Sequence, residues 1–232
     1  MFDDALVIAI LQIIAIDIIL GGDNAIIIAL ACRNLPQRQK RLGILWGTAG
    51  AIILRVILVF FASTLLTVPS LKLIGGVLLL WIGVKLLAEE DELDEGSIKQ
   101  SGSLMEAIRT IIIADFVMSL DNSVAIAAAA KGNMALVVFG LLLSVPIIIG
   151  GSAIILKMMQ RFPIIITAGA ALLGWLAGDL IAHDPLLKDQ LATLPAYAPK
   201  VAAAGGALLV VVAGRIIAAR NAGSAQHQTS DQ

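Results

Sequence analysis

Long apolar stretches recur along this chain from its first residues almost to its C-terminus. An α-helix needs about 20 such residues to cross a hydrocarbon core of about 30 Å. Only helices and closed barrels satisfy their backbone polar groups inside a bilayer. We therefore predict an all-α polytopic membrane protein with seven transmembrane helices. The predicted spans are residues 5–31, 43–66, 71–88, 104–130, 135–158, 162–182 and 200–219.

Two polar segments lie outside these spans. Residues 89–103 contain six carboxylates between Glu89 and Glu95 and are predicted to form an acidic cytoplasmic loop. Such a charge run is either a solvated linker or a collector of hard cations. Residues 221–232 are polar without apolar periodicity, so we expect a disordered tail. The remainder, residues 1–220, is expected to form a single integral membrane domain.

Composition supports a membrane location. The chain is 59% hydrophobic and 14% charged, with a mean hydropathy of +0.97, whereas soluble domains are nearer to half apolar and a quarter charged. A net charge of -1 and 4% aromatic residues argue against nucleic-acid binding. Cys32 is the single cysteine, which excludes an internal disulfide. Met1-Phe2-Asp3-Asp4 lacks the basic start of a secretory signal, so the first apolar stretch is expected to be a retained span.

Cationic residues are concentrated at one set of span ends. Because cytoplasmic loops carry an excess of Lys and Arg, these ends should face the cytoplasm. We therefore expect a multi-pass protein of the inner (plasma) membrane with its N-terminus outside and its C-terminus in the cytoplasm. The cations are Arg33, Arg38, Lys40, Arg41, Lys157, Arg161, Arg215 and Arg220.

An acidic motif occurs twice, in spans 1 and 4, at an offset of 98 residues. Both copies have the form Asp-x5-Asp-Asn. Three spans separate them, so the copies cross the membrane in opposite directions, as in transporters built from inverted repeats that bind substrate near the midplane. We predict two inverted three-helix repeats, at about residues 5–88 and 104–182, plus a seventh helix at about 200–219. The motif residues are Asp17, Asp23 and Asn24 in the first copy, and Asp115, Asp121 and Asn122 in the second.

The helix period limits how these side chains can converge. Residues six apart on an unbroken helix point about 120° away from each other, so Asp17 and Asp23 face different sides. A break at Gly21-Gly22 would bring them together and expose backbone carbonyls. Span 4 has Ser119-Leu120 at the corresponding place, so the sequence leaves its break and the symmetry of the site open.

Burying these charges requires a compensating partner. A charge at the centre of a span costs roughly 2.5 to 3.5 kcal/mol on the mildest scale. Arg55 is the only cation at comparable depth, which leaves a surplus of negative charge that suits a divalent cation with residual protonation. Protonated carboxyls that hydrogen-bond between helices are the alternative. Oxygen ligands without deep Cys or His favour manganese, magnesium or calcium over copper or zinc, without choosing among these three.

The two motifs resemble those of the TerC family of integral membrane proteins. The resemblance rests on Asp17 to Ala25, with its Gly-Gly-Asp-Asn-Ala form, and on Asp115 to Ser123, with its Leu-Asp-Asn form. It implies export of Mn²⁺ from the cytoplasm, with the paired motifs as the cation path and no resident cofactor. Other family members are associated with tellurite resistance or with metal loading of secreted enzymes. The residues carried over are Asp17, Asp23, Asn24, Asp115, Asp121 and Asn122; Gly21, Gly22 and Arg55 are added as supporting residues from their positions.

The leading hypothesis is a secondary transporter, not an enzyme, that exchanges a divalent cation (Mn²⁺, or else Ca²⁺ or Mg²⁺) for protons across the lipid bilayer. Neighbouring carboxylates repel each other once the cation leaves, which raises their proton affinity. One alternative is a non-transporting partner of a secretion or metal-loading complex. Another is an intramembrane aspartyl protease, but Leu20 stands where its Gly-x-Gly-Asp motif requires glycine. Asp179 and His183 are candidates for an exit site, against the simpler interpretation of an interfacial helix end.

Overall fold

The computed structural model describes residues 4–65, 68–89, 103–130, 133–187 and 195–229. These residues form seven long helices and no strand. Five helices are long and apolar enough to cross a membrane as they stand, and α1 and α4 complete seven when each bent helix is taken as one span. The prediction of an all-α polytopic membrane protein is confirmed. The helices are α1 Asp4–Cys32, α2 Gln37–Leu65, α3 Leu71–Ala88, α4 Leu104–Ala129, α5 Met134–Arg161, α6 Ile164–Ala182 and α7 Ala198–Thr229.

The C-terminal helix is longer than the sequence indicated. It continues through Thr229, beyond the predicted end at 219, so residues 221–229 of the expected disordered tail are helical. This segment contains no proline and a single glycine, Gly223, and its alanines and glutamines favour a helix. Nothing in it therefore stops the helix. Most of the acidic loop, residues 90–102, lies outside the described residues.

The helices group into two compact units, and the single membrane domain stays a prediction. The first unit contains α1, α2, α4 and α5, and the second contains α3, α6 and α7. Each predicted repeat thus gives its first two helices to the first unit and its third helix to the second. In the first unit, α1 packs against α4 and α5, and α2 packs against the same two helices. If the two repeats are interchanged, α1 takes the place of α4 and α2 that of α5. The α1–α5 contact then becomes the α4–α2 contact, as a twofold relation requires.

Two apolar clusters in the first unit show the direction of its helices. Cluster A includes Ile28 and Ile111, and cluster B includes Ile13 and Ile126. On α1, Ile13 of cluster B comes before Ile28 of cluster A, whereas on α4, Ile111 of cluster A comes before Ile126 of cluster B. The helices that carry the two motifs therefore run in opposite senses, as predicted for inverted repeats. Cluster A contains Ile28, Cys32, Leu35, Ile44, Ala107, Ile111 and Ile148; cluster B contains Ile13, Val59, Ile126, Ala130, Val137 and Leu141.

In the second unit, α6 and α7 approach each other at glycines. A Cβ atom added to Gly178 would lie 2.2 Å from the carbonyl oxygen of Ala202, and one added to Gly206 would lie 2.2 Å from that of Gly174. Small residues at such crossings let two helix backbones touch, which is how many membrane helices associate. The Gly174-x3-Gly178 spacing of this contact is visible in the sequence.

Asp184, just after α6, caps the start of α3 in the second unit. The N-cap residue Ser70 makes no side-chain cap and has a φ of 67°, in the left-handed region. The buried Asp184 carboxylate accepts hydrogen bonds from the backbone N–H of Leu73 at 2.9 Å and of Ser70 at 3.3 Å. It also accepts one from Leu186 N–H at 2.9 Å. A distant carboxylate thus satisfies helix donors that the local sequence leaves free.

This cap predicts an acid-sensitive contribution to stability. Burial raises the pKa of Asp184, but the backbone N–H groups of Leu186, Leu73, Ser70 and Lys72 outweigh it and lower the pKa below 3.8. The folded form therefore gains stability above the unfolded pKa and loses it as the pH falls through the lower folded pKa. We expect Asp184→Asn to lower the unfolding temperature in detergent at pH 7. The gap to the wild type should narrow as the pH falls below about 4; a gap that is independent of pH would contradict the charged cap.

Candidate cation site

Three charged side chains from three helices of the first unit meet in its interior. Arg55 on α2 donates from Nη1 to Oδ1 of Asp17 on α1, and from Nη2 to Oδ1 of Asp115 on α4. The exposed fraction of each of these residues is 3% or less. The first aspartates of both motifs, which lie 98 positions apart in sequence, thus share one guanidinium.

Serine hydroxyls hold the second oxygen of each carboxylate. Ser144 on α5 donates to Oδ2 of Asp17, and Ser119 on α4 donates to Oδ2 of Asp115 at 3.2 Å. Arg55 Nε donates to Ser119 Oγ at 2.9 Å. Each carboxylate therefore binds the guanidinium through one oxygen and a serine through the other. No sequence signal pointed to Ser144, and Ser119 stood out only because it occupies the motif position of Gly21.

The charged group lies between the two apolar clusters. On α1, Asp17 falls between Ile13 of cluster B and Ile28 of cluster A. On α4, Asp115 falls between Ile111 and Ile126, and the same order holds for Arg55 on α2 and Ser144 on α5. Each side of the charged layer is therefore covered by packed aliphatic side chains.

Both motif helices bend at the site. The axes of segments Ile10–Ile19 and Gly21–Cys32 of α1 differ by 51°, and those of Leu104–Leu120 and Asn122–Ala129 of α4 differ by 64°. The first bend adjoins the predicted Gly21-Gly22 break. The second bend lies between Leu120 and Asn122, where there is no glycine. It is three positions further along the motif than the first bend. The bends are therefore not equivalent, and the site is asymmetric.

Several buried polar atoms on the two helices that carry Asp17 and Arg55 make no hydrogen bond within the described residues. They are Oδ1 of Asp23, both amide atoms of Asn24, and Oγ1 of Thr48. These positions lie on the cluster A side of Asp17 and Arg55 along α1 and α2. A small cavity of about 10 Å³, comparable with one water-sized probe, touches this group. It is lined by Asn24, Ile27, Ile28, Ala51, Ile111 and Asp115.

The predicted site residues are only partly brought together. Asp17 and Asp115 meet at Arg55, and Asn24 and Asp115 share the cavity. Asn122 is half-buried on α4, and the side chain of Asp121 lies outside the described residues. Within the part of the chain that the structure describes, no three His, Cys, Asp or Glu side chains form a group suited to a metal ion. The six-residue ligand set stays a prediction.

Gly21 packs closely against this group. A Cβ atom there would lie 3.0 Å from Asn24 Nδ2, 3.4 Å from Arg55 Nη1 and 3.7 Å from Asp17 Oδ1, whereas one on Gly22 meets nothing within 4 Å. If the site carries transport, Gly21→Ala should reduce flux about tenfold, because small misplacements of binding groups are costly. Gly22→Ala is the matched control and should leave flux unchanged. Equal effects of the two substitutions would contradict the role of Gly21.

The candidate exit-site residues Asp179 and His183 lie at the end of α6. Their side chains are 49% and 53% exposed, and His183 Nδ1 lies 2.8 Å from the Asp179 carbonyl oxygen and 3.6 Å from its carboxylate. Asp184 does not join them, because it caps α3. The pair has the geometry of an exposed helix end, and its role in exit stays a prediction.

The exterior of the helices is apolar. Ile19 and Ile164 are 78% and 75% exposed, which in a bilayer places them against lipid. Apolar, bent helices around a buried cluster of charges define a polytopic α-helical integral membrane protein. The chain belongs to the TerC family: the family model described as "Integral membrane protein TerC family" matches residues 2–224. This family is often linked to metal or ion transport.

Three relatives give the range of similarity. The membrane protein YjbE of Bacillus subtilis is 46% identical over 180 residues, which cover 78% of this chain and 82% of YjbE. YkoY of the same organism is 25% identical over 77% of this chain and 61% of its own length. The inner membrane protein YgdQ of Escherichia coli is 26% identical over 64% of this chain and 69% of its own. No solved structure matches the chain.

Proposed function

We propose that this TerC family protein is a secondary transporter that exports a divalent cation, Mn²⁺ first, in exchange for protons. One observation carries the proposal: the equivalent aspartates of two inverted motifs, Asp17 and Asp115, meet at one buried point. Inverted-repeat transporters bind their substrates at such points near the midplane. The protein then acts as a transporter and not as an enzyme.

The donor atoms around this point suit a hard cation. Two carboxylates and the Asn24 carboxamide supply oxygen, and the carboxamide oxygen has no hydrogen-bond partner among the described residues. Oxygen-rich sites bind Mg²⁺, Ca²⁺ and Mn²⁺ in preference to soft metals. The choice of Mn²⁺ rests on the family resemblance, and the other two ions share the chemistry.

The two apolar clusters supply the gates that a carrier needs. Cluster A and cluster B cover the charged layer on its two sides. We propose that one cluster separates at a time and that the bends of α1 and α4 absorb the movement. The N-terminus lies outside and the C-terminus in the cytoplasm, so cluster A faces the cytoplasm.

The shared guanidinium disfavours the protease hypothesis. An aspartyl dyad holds a proton between two adjacent carboxylates, whereas here each first aspartate is paired with Arg55. The hypothesis of a non-transporting partner has no comparable structural support and becomes one outcome of the test.

Purified wild-type protein in liposomes tests the proposal. We expect Mn²⁺ flux well above that of protein-free liposomes, competition by Ca²⁺ or Mg²⁺, and an opposite proton movement reported by a pH-sensitive dye inside. Correctly inserted protein that moves none of the three ions would contradict transport and favour the partner hypothesis. Flux without proton movement would contradict only the coupling.

A further inference from the structure

Arg55 occupies the place that a divalent cation would need. A cation bound between Asp17 and Asp115 needs an oxygen from each carboxylate. One oxygen of each carboxylate is bound to the guanidinium. The other oxygen of each is bound to a serine hydroxyl. An incoming divalent cation therefore cannot enter between Asp17 and Asp115 until Arg55 moves.

Charge leads to the same conclusion. Two carboxylates and one guanidinium carry a net charge of -1, whereas two carboxylates and a divalent cation are neutral. Keeping both cations between these two carboxylates would bring a guanidinium and a divalent cation into contact in a site that is 3% exposed or less. Like charges at contact distance repel strongly where water is scarce. One cation has to leave when the other binds.

The guanidinium has an acceptor at hand to receive it. An added Cβ on Gly21 would lie 3.4 Å from Arg55 Nη1 and 3.0 Å from Asn24 Nδ2, so both groups border the same small space. The Asn24 carboxamide oxygen is buried and has no hydrogen-bond partner among the described residues. A rotation of the Asn24 carboxamide that turns this oxygen toward the shared space would give the guanidinium an acceptor other than the carboxylates.

We propose that Arg55 is an internal exchange cation, which alternates with the transported divalent cation between Asp17 and Asp115. The proposal rests on the proposed transport function and deepens it. When the substrate leaves, the guanidinium neutralises the carboxylates, so the carrier returns without two bare charges in the membrane interior. A guanidinium held by two carboxylates also excludes weakly competing monovalent cations.

Direct Mn²⁺ binding to detergent-solubilised variants tests this role. Removing the competitor should increase the fraction of binding-competent sites, so Arg55→Gln should bind Mn²⁺ at least about tenfold more tightly than the wild type. Its flux in liposomes should nevertheless fall at least about tenfold, because the substrate has no replacement. Arg55→Lys keeps the charge and should restore part of the flux. Arg109→Gln, which removes an exposed arginine from α4, is the control and should change neither quantity.

The outcomes separate this inference from the proposed function. If Arg55→Gln folds and binds Mn²⁺ as weakly as or more weakly than the wild type, Arg55 is a structural partner and the inference fails, while transport stands. If wild-type protein neither binds nor moves a divalent cation, both fail. Should Arg55→Gln not be recovered, Arg55→Lys decides: tighter Mn²⁺ binding with slower flux than the wild type supports exchange, and unchanged binding contradicts it.

Discussion

Replacing Asp17 or Asp115 with asparagine is expected to reduce Mn²⁺ flux in proteoliposomes at least about 100-fold. Loss of a group that merely supports a metal ligand costs about 10- to 100-fold, and these two carboxylates are the proposed ligands themselves. Each substitution also leaves Arg55 facing a single carboxylate, so the pair that remains carries no net charge. A divalent cation gains less from this neutral pair than from two carboxylates that share one guanidinium.

The same charge balance predicts that both variants fold. Asparagine keeps the shape of the side chain, and the remaining Arg55–carboxylate pair is neutral, so no buried charge is left without a partner. We expect a stability loss of about 1.5–3 kcal/mol, typical of one hydrogen bond to a charged group. Membrane insertion and monodispersity should match the wild type, and flux is compared per inserted molecule.

Asp179→Asn is the matched control for these two variants. Its carboxylate is half-exposed at the end of α6 and lies outside the charged cluster, so flux should stay within about twofold of the wild type. Loss of flux in this variant would support the exit site at Asp179 and His183. Normal flux in both Asp17→Asn and Asp115→Asn would contradict the proposed cation path.

The sequence was sufficient to predict the helices and the similar depths of the buried charged residues. Apolar length sets each span, and counting along a span places Asp17, Asp115 and Arg55 at similar depths. The duplicated motif fixed the opposite directions of α1 and α4. These features depend on spacing along one helix or on repetition, both of which are visible without knowing which helices touch.

Contacts between helices could not be predicted from spacing or repetition in the sequence. Depth alone did not show that Arg55 binds both aspartates, nor that Ser144 on α5 completes the coordination of Asp17. The bend of α4 occurs without a glycine from which it could have been predicted. Asp184 caps a helix that begins more than a hundred residues earlier. Each of these depends on lateral packing, which a single sequence does not encode by spacing.

The close packing of α6 against α7 predicts a large effect on stability. Gly178→Ala would place its Cβ 2.2 Å from the Ala202 carbonyl oxygen, and Gly206→Ala would place its Cβ 2.2 Å from that of Gly174. Backbone atoms cannot rotate away as side chains do, so the two helices must separate. We expect each variant to lose about 1–3 kcal/mol or more in the free energy of unfolding, the range for overpacked sites.

Gly205→Ala is the matched control, because a Cβ at this neighbouring residue of α7 meets nothing within 4 Å. Alanine favours a helix over glycine by about 1 kcal/mol, so this variant should be as stable as the wild type or slightly more so. Unfolding of the purified protein in mixed detergent micelles measures all three variants. If Gly178→Ala and Gly206→Ala unfold at the same denaturant concentration as Gly205→Ala, the α6–α7 contact is not backbone to backbone. If only Gly178→Ala and Gly206→Ala are destabilised, the loss comes from close helix packing, because the change in helix propensity is the same at all three positions.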